Sequence, residues 1–380
     1  MSTPKRHHFV PQFYLRRFSP EEGSICCFYK REAKFIPRAS IKGQCAIDNY
    51  YSWHVGVEGA LGAVEGVVAN IMRSISTLRA LPDEESESWH ALLLFVALQA
   101  SRTELSGQLA DDMSDYLAKL MAEGRPELAG IDLDSFKIGS KYPAAMPMEI
   151  SIKSYHVLTS LGRCLLINNS KIPYFCSDNP VVFYNSQRSH LFHEGGIGLD
   201  SAGLQIFYPI DDQHCIYLYD TDVYSKPSNT GIRIAKLEDI IKLNLVHYLW
   251  SNRNIYVGNS MLEPILKKIH EICAPYAEFR RIVFRETERL AGPDGGESSL
   301  LVNFRAQPPV EADFAFARHS KTIRPNETGA RSKRYRTESE MSAPGRSYKM
   351  PAYEPREHLK KAELARAVKT LLNEANLIRQ

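Results

Sequence analysis

At 380 residues with 44% hydrophobic and 24% charged side chains, the chain is long enough for two ordinary domains or for one large domain with appendages. Its longest apolar run, Ala91 to Leu98, falls far short of the ~20 residues that span a bilayer, and no basic and apolar leader opens it. A soluble cytoplasmic protein with no membrane partner is expected, and the absence of G-x-x-x-x-G-K-[ST], G-x-S-x-G and H-E-x-x-H motifs disfavours the common phosphate-cradling and hydrolase architectures.

The net charge of +3 conceals a split. Residues 305–380 carry 16 Lys/Arg against 9 Asp/Glu, whereas the preceding 304 carry 31 against 35. Nonspecific attraction to nucleic acid should therefore reside in the tail. The seven cysteines form no C-x-x-C pair and no zinc-finger spacing, which predicts buried reduced thiols.

The chain opens on HHFVPQFYLRRF. His7 and His8 are adjacent, so an extended segment points them to opposite sides and at most one faces a common site. Pro11 stiffens the segment, and Tyr14, Leu15 and Phe18 have the spacing of an anchor on one helical turn. Ser24 to Lys30 and Lys34 to Pro37 read as a hairpin. Val57 to Leu78 repeats Leu61, Val64, Val68, Ile71, Met72 and Ile75 at helical intervals, with Glu58 and Glu65 two turns apart on one side. A second helix is predicted from Glu87 into the 111–120 region. Its apolar centre ends at Gln99 and Arg102, three apart on one face, and a buried Arg102 either pairs with a carboxylate such as Glu58 or Glu65 or faces a polar cavity.

Met148 to Leu161 reads as another helix. Short strand-like runs follow at Cys164–Asn168, Tyr174–Cys176, Val181–Tyr184, Leu204–Phe207 and Cys215–Tyr219, separated by Asn, Asp, Gly and Pro. Ala235 to Leu249 and Met261 to Ile272 are helical on either side of a strand at Asn254–Val257. The fold class is thus α+β: an N-terminal hairpin and long helices packed with a mainly antiparallel sheet, then a disordered basic linker and a C-terminal helix. Its domain plan is one body over 1–304, with a helical part at about 55–163 and a strand-rich part at about 164–260, a linker over 305–356 and an amphipathic helix over 357–380.

Ser177-Asp178-Asn179-Pro180 lies between two apolar runs. It reads either as a strand-end turn or as a site element, with Asp178 orienting a histidine or a metal and Asn179 donating an amide to a substrate oxygen. Pro209-Ile210-Asp211-Asp212 reads as a hairpin turn, and Asn244 as a buried amide holding a loop. The H-H-x-x-P-x-x-Y-L-x-x-F opening, Gln99 with Arg102, S-D-N-P, Pro209-Ile210-Asp211 and Asn244 together resemble the largely bacterial family named domain of unknown function 4238, over roughly residues 5–260. That resemblance implies one shared site and no particular reaction. The opening is also similar to the H-H-x-x-P start of some His-Asn-His nucleases, although Asn49 and His54 sit in an aromatic loop where that motif has a helix.

These readings combine into a polar site containing His7, His8, Asp178, Asn179, Arg102 and Glu65. The expected activity is hydrolysis of a phosphodiester or another polar substrate in nucleic-acid processing or defence. A histidine serves as acid/base or metal ligand, Asp178 as its partner, Asn179 and Arg102 as charge stabilisers and Glu65 as a reserve carboxylate. A divalent metal is the candidate cofactor, though no ligand spacing demands one, and nucleic acid is the candidate partner of the tail. The alternative is a binding or regulatory module in which the same motifs are structural.

Overall fold

The computed structural model describes residues 6–377 apart from 124, 129, 227–230, 280, 287–289, 292–296, 299–300 and 321–356. Strand β1 (Arg6–His8) leads into a short helix α1 (Gln12–Arg16) and a hairpin of β2 (Ser24–Tyr29) and β3 (Lys34–Ser40). A brief strand β4 (Ala46–Asp48) returns antiparallel to β1, with His7 opposite Ile47. Helix α2 (Val57–Leu78) buries Leu61, Val68, Met72 and Ile75, the stripe its spacing predicts.

The expected long second helix is two. Helix α3 (Glu87–Ser101) is apolar on every side and correspondingly buried, with Ser86 capping its start by accepting from the Trp89 N–H. Arg102 leaves helical geometry, and Thr103 then accepts from the Ser106 N–H to begin helix α4 (Glu104–Ala122). A threonine that can cap offers the backbone a restart that hydrophobic periodicity does not register. Helix α5 (Ala145–Ser154) passes into a 3-10 turn over Tyr155–Ser160 where one helix through Leu161 was expected.

Strands β5 (Gly162–Asn168), β6 (Cys176–Ser177), β7 (Val182–Tyr184), β8 (Gln205–Pro209), β9 (His214–Tyr219) and β10 (Ile232–Ala235) follow, then helix α6 (Leu237–Trp250) and strand β11 (Asn254–Val257). They divide between two sheets. One has the order β10-β5-β9-β8-β7 and is antiparallel except where β10 meets β5. The other has the order β3-β2-β11-β6, so the N-terminal hairpin joins the strand after α6.

The five-stranded sheet is covered on both faces. On one, Tyr208 stacks on Tyr14 and meets Phe95 of α3. On the other, Phe207 and Tyr217 pack against Phe314 and Phe316. This second cover corrects the expected linker. Residues 306–320 cross the sheet with Val310, Ala312, Phe314 and Phe316 buried, while Ala312 N–H donates to the Tyr184 hydroxyl at 2.7 Å. Alternating Phe and small residues between prolines give no 3.6-residue repeat, yet they suit an extended strap over a ready-made apolar face.

Helix α7 (Glu263–Cys273) and the strands β12 (Ile282–Glu286), β13 (Leu290–Ala291), β14 (Glu297–Ser298) and β15 (Leu301–Arg305) precede the strap. The expected linker residues 321–356 lie outside the described ones. The C-terminal helix α8 (Lys361–Leu377) docks on α6 and α7 through Leu364, Val368 and Leu371. Among the described residues no helix is long and apolar enough to cross a membrane.

Candidate functional site

The two histidines separate as extended geometry requires. His7 is buried, its ring parallel to that of Tyr51 at 5.5 Å, and its Nδ1 accepts the Tyr51 N–H at 2.8 Å. His8 is half-buried. Its Nδ1 donates to the Gln44 carbonyl at 3.1 Å, and its Nε2 accepts from the Gln12 amide at 3.0 Å. Gln12 in turn accepts from Arg16 at 3.0 Å, so α1 holds the imidazole in one tautomer. Burial lowers the His8 pKa against the opposing Gln44 hydrogen bond, with the charges of Arg6, Glu65 and Arg102 acting on the same ring.

Beside it, Arg102 is fully buried and Glu65 three-quarters so, joined at 2.8 Å. The remaining guanidinium donors reach Gln99 Oε1 at 2.9 and 3.0 Å, and the Gln99 amide donates to the Phe9 carbonyl. The cation is thus consumed within a network tying α2, α3 and the N-terminal segment together. Glu58, one heptad before Glu65, is raised in pKa by burial and by the Glu65 charge, against the opposing charges of His7 and Arg102.

Asp178 and Asn179 lie at the turn between α6 and β11. The Asp178 carboxylate accepts the backbone N–H groups of Asn252, Arg253 and Asn254 at 2.9, 2.6 and 3.0 Å. Asn179 donates to the Trp250 carbonyl at 3.1 Å and accepts from Thr103, while Ser177 bonds His247 at 2.8 Å. Lys30 and Arg281 donate to the carbonyls that end α6, where the helix dipole favours cations. Burial opposes that charge and lowers the Lys30 pKa to about 7. Asn244 brackets residues 173–175 with both ends of its amide. His7, His8, Glu65 and Arg102 therefore share one neighbourhood, and Asp178 with Asn179 another. Both His8 ring nitrogens engage glutamines, not Asp178.

A third polar group gathers at the Pro209-Ile210-Asp211-Asp212 turn, which joins β8 to β9 as a hairpin but also draws in Arg17, Ser76 and His214, a grouping the sequence did not show. Asp211 accepts from His214 Nδ1 at 2.9 Å and from Arg17 at 3.0 Å, with Ser76 donating to the same carboxylate. Burial works against this charge, but the His214 and Ser76 bonds hold the Asp211 carboxyl below its ordinary value. Arg17 also caps the Ile210 and Met72 carbonyls, pinning α1 to the β8–β9 turn and to α2. Ser76 at the end of an apolar stripe was the available signal. Among the described residues no three His, Cys, Asp or Glu side chains are grouped to hold a metal ion.

Comparison with known proteins gives one match. The model of a family described as "Protein of unknown function (DUF4238)" matches residues 6–260. No curated protein and no solved structure matches.

Proposed function

The chain belongs to the DUF4238 family, whose description names no activity, and we propose that it is a hydrolase of phosphodiesters, acting in nucleic-acid processing or defence, with His8 as its acid–base group. The carrying observation is the half-buried imidazole with its Nε2 toward a replaceable amide, its pKa lowered by burial and the Glu65 carboxylate acting on its ring, while Glu58, one heptad before Glu65 on α2, is raised in pKa by burial. In this reading a water molecule displaces the Gln12 amide and gives its proton to His8 Nε2 as it attacks phosphorus. Glu58, in its neutral form, protonates the departing oxygen. Arg6 is exposed and acts electrostatically on His8, which makes it the cation for the phosphate, because Arg102 is spent on Glu65 and Gln99. Arg102, Glu65, Asp178 and Asn179 are positioning residues, and the basic tail adds affinity for nucleic acid.

His8→Asn and Glu58→Gln test this on bis(p-nitrophenyl) phosphate and on single- and double-stranded DNA and RNA. Loss of roughly 100-fold or more in kcat, with an unchanged melting temperature, is the expected result. Because burial depresses His8, its acid limb should lie below the ordinary 6.5 of imidazole. Unchanged turnover in both variants removes the reading.

One observation favours a second reading. Three backbone N–H groups on Asp178 explain the S-D-N-P stretch as a clamp on a turn. A binding module built on the same frame would bind nucleic acid through the tail without hydrolysing it, and would lose that binding steeply with salt.

A further inference from the structure

A cleft of about 890 Å³ opens between α4 and the start of β12, away from the elements that hold His8. Its aromatic wall includes Tyr116 and Phe284, parallel at 4.0 Å, together with Phe279. Gln108 and Asn252 supply amides, joined to each other only by a long 3.5 Å contact. At the cleft floor, Arg281 lies over the Phe279 ring at 4.7 Å and donates to the carbonyls of Leu249, Trp250 and Ser251.

A second arginine stands behind it. Arg305 pairs across the ladder with Ile282, which lines the cleft, and the Ala306 N–H bonds the Arg281 carbonyl at 2.8 Å. The Arg305 guanidinium lies over the Trp250 and Phe183 rings at 4.7 and 5.2 Å, and its Nε is buried without a hydrogen-bond partner. Among the described residues neither arginine forms an ion pair. The carboxylates of the cleft are met by its own lysines: Asp112 by Lys137 at 2.7 Å, and Asp115 and Asp134 by Lys119 at 2.8 and 3.9 Å. Asp178 places its oxygens on three backbone N–H groups. Two desolvated cations side by side repel, and each is costly to keep charged away from water, Arg281 having the field of Asp178 in its favour but no ion pair. An anion supplied from outside relieves both effects, and the ring-lined wall beside it suits a planar group.

We infer that this cleft binds an aromatic phosphate of the nucleoside monophosphate class, with its phosphate toward Arg281, behind which Arg305 adds positive charge, and its base against Phe279 and Tyr116. The inference is independent of the reaction proposed for His8, because it uses other residues and predicts binding alone.

Titration calorimetry on the full chain with adenosine 5′-monophosphate, adenosine and inorganic phosphate provides the test. The monophosphate should bind with one-to-one stoichiometry, and adenosine and phosphate each about tenfold or more weakly. Gln108→Glu keeps the side-chain shape and its bond from Asn252, gives up the bond from its amide to Glu104 at 3.4 Å, and adds negative charge at the cleft. It should weaken the monophosphate about tenfold or more relative to Gln108→Met, which loses the same bond without the charge, whereas His8→Asn should leave binding unchanged. Phe279→Ala should weaken the nucleotide and leave phosphate binding as it was. No binding of the monophosphate at millimolar concentration overturns the inference. So does equal binding of either fragment, or indifference to Gln108→Glu.

Discussion

Replacing Asp178 with alanine should unfold the turn between α6 and β11 before it affects any chemistry. Three N–H groups, from Asn252, Arg253 and Asn254, lose a carboxylate that accepts them at 2.9, 2.6 and 3.0 Å. Lys30 and Arg281 lose an anion that favours their charged forms. Each orphaned buried donor costs about 1–3 kcal/mol, and removal of one partner from a buried charged cluster typically costs about 3–5 kcal/mol. A destabilisation of about 4 kcal/mol follows, equivalent to a fall on the order of 10 °C in melting temperature.

Asp178→Asn is the graded comparison. Turned so that its one oxygen meets Arg253 and Asn254, it sacrifices the Asn252 bond and should cost about 2 kcal/mol. Equilibrium unfolding in urea, followed by tryptophan fluorescence, reads both changes, since Trp250 ends α6 beside this turn. Hydrogen exchange at the amides of residues 252–254 locates them, and protection there should fall further than in β9. The reasoning fails if Asp178→Ala stays within about 1 kcal/mol of the parent with those amides still protected. Such a stable variant without hydrolytic activity would return Asp178 to the chemistry.

Two further outcomes follow from packing and burial. Lys30 has its pKa lowered from 10.5 to about 7, so between those values the folded chain binds fewer protons than the unfolded one. Its burial cost is full below pH 7 and fades as pH rises toward 10.5, and stability should climb more steeply over that window in the parent than in Lys30→Met, as paired urea titrations would read. At Gly258 an added Cβ would stand 2.5 Å from the Phe18 carbonyl oxygen, so Gly258→Ala should cost about 1–3 kcal/mol by levering the N-terminal segment off β11. A melting temperature equal to the parent's would show that Phe18 gives way freely.

Local pattern sufficed where burial is periodic. The apolar repeat of α2 and the all-apolar centre of α3 dictate helices whatever surrounds them, and the β2–β3 hairpin follows from adjacent strand formers. Alternation along a strand likewise sends His7 and His8 to different environments, and desolvation alone requires a partner for Arg102. The break at Thr103 was harder to read, because capping competes with a hydrophobic pattern that runs past it.

Which groups meet was decided by the tertiary structure. Asp178 reaches residues 252–254 only because β6 and β11 pair, and Ser76, Asp211 and Arg17 converge from three separated segments. The 306–320 strap illustrates the same limit: its alternation of Phe314 and Phe316 with alanines is too short to announce an element, and the place of these rings is set by the aromatic sheet face they cover. Sequence spacing thus specifies each element's faces. Long-range pairing selects the partner of each face, since many elements could satisfy one apolar stripe and only closure of the two sheets chooses among them.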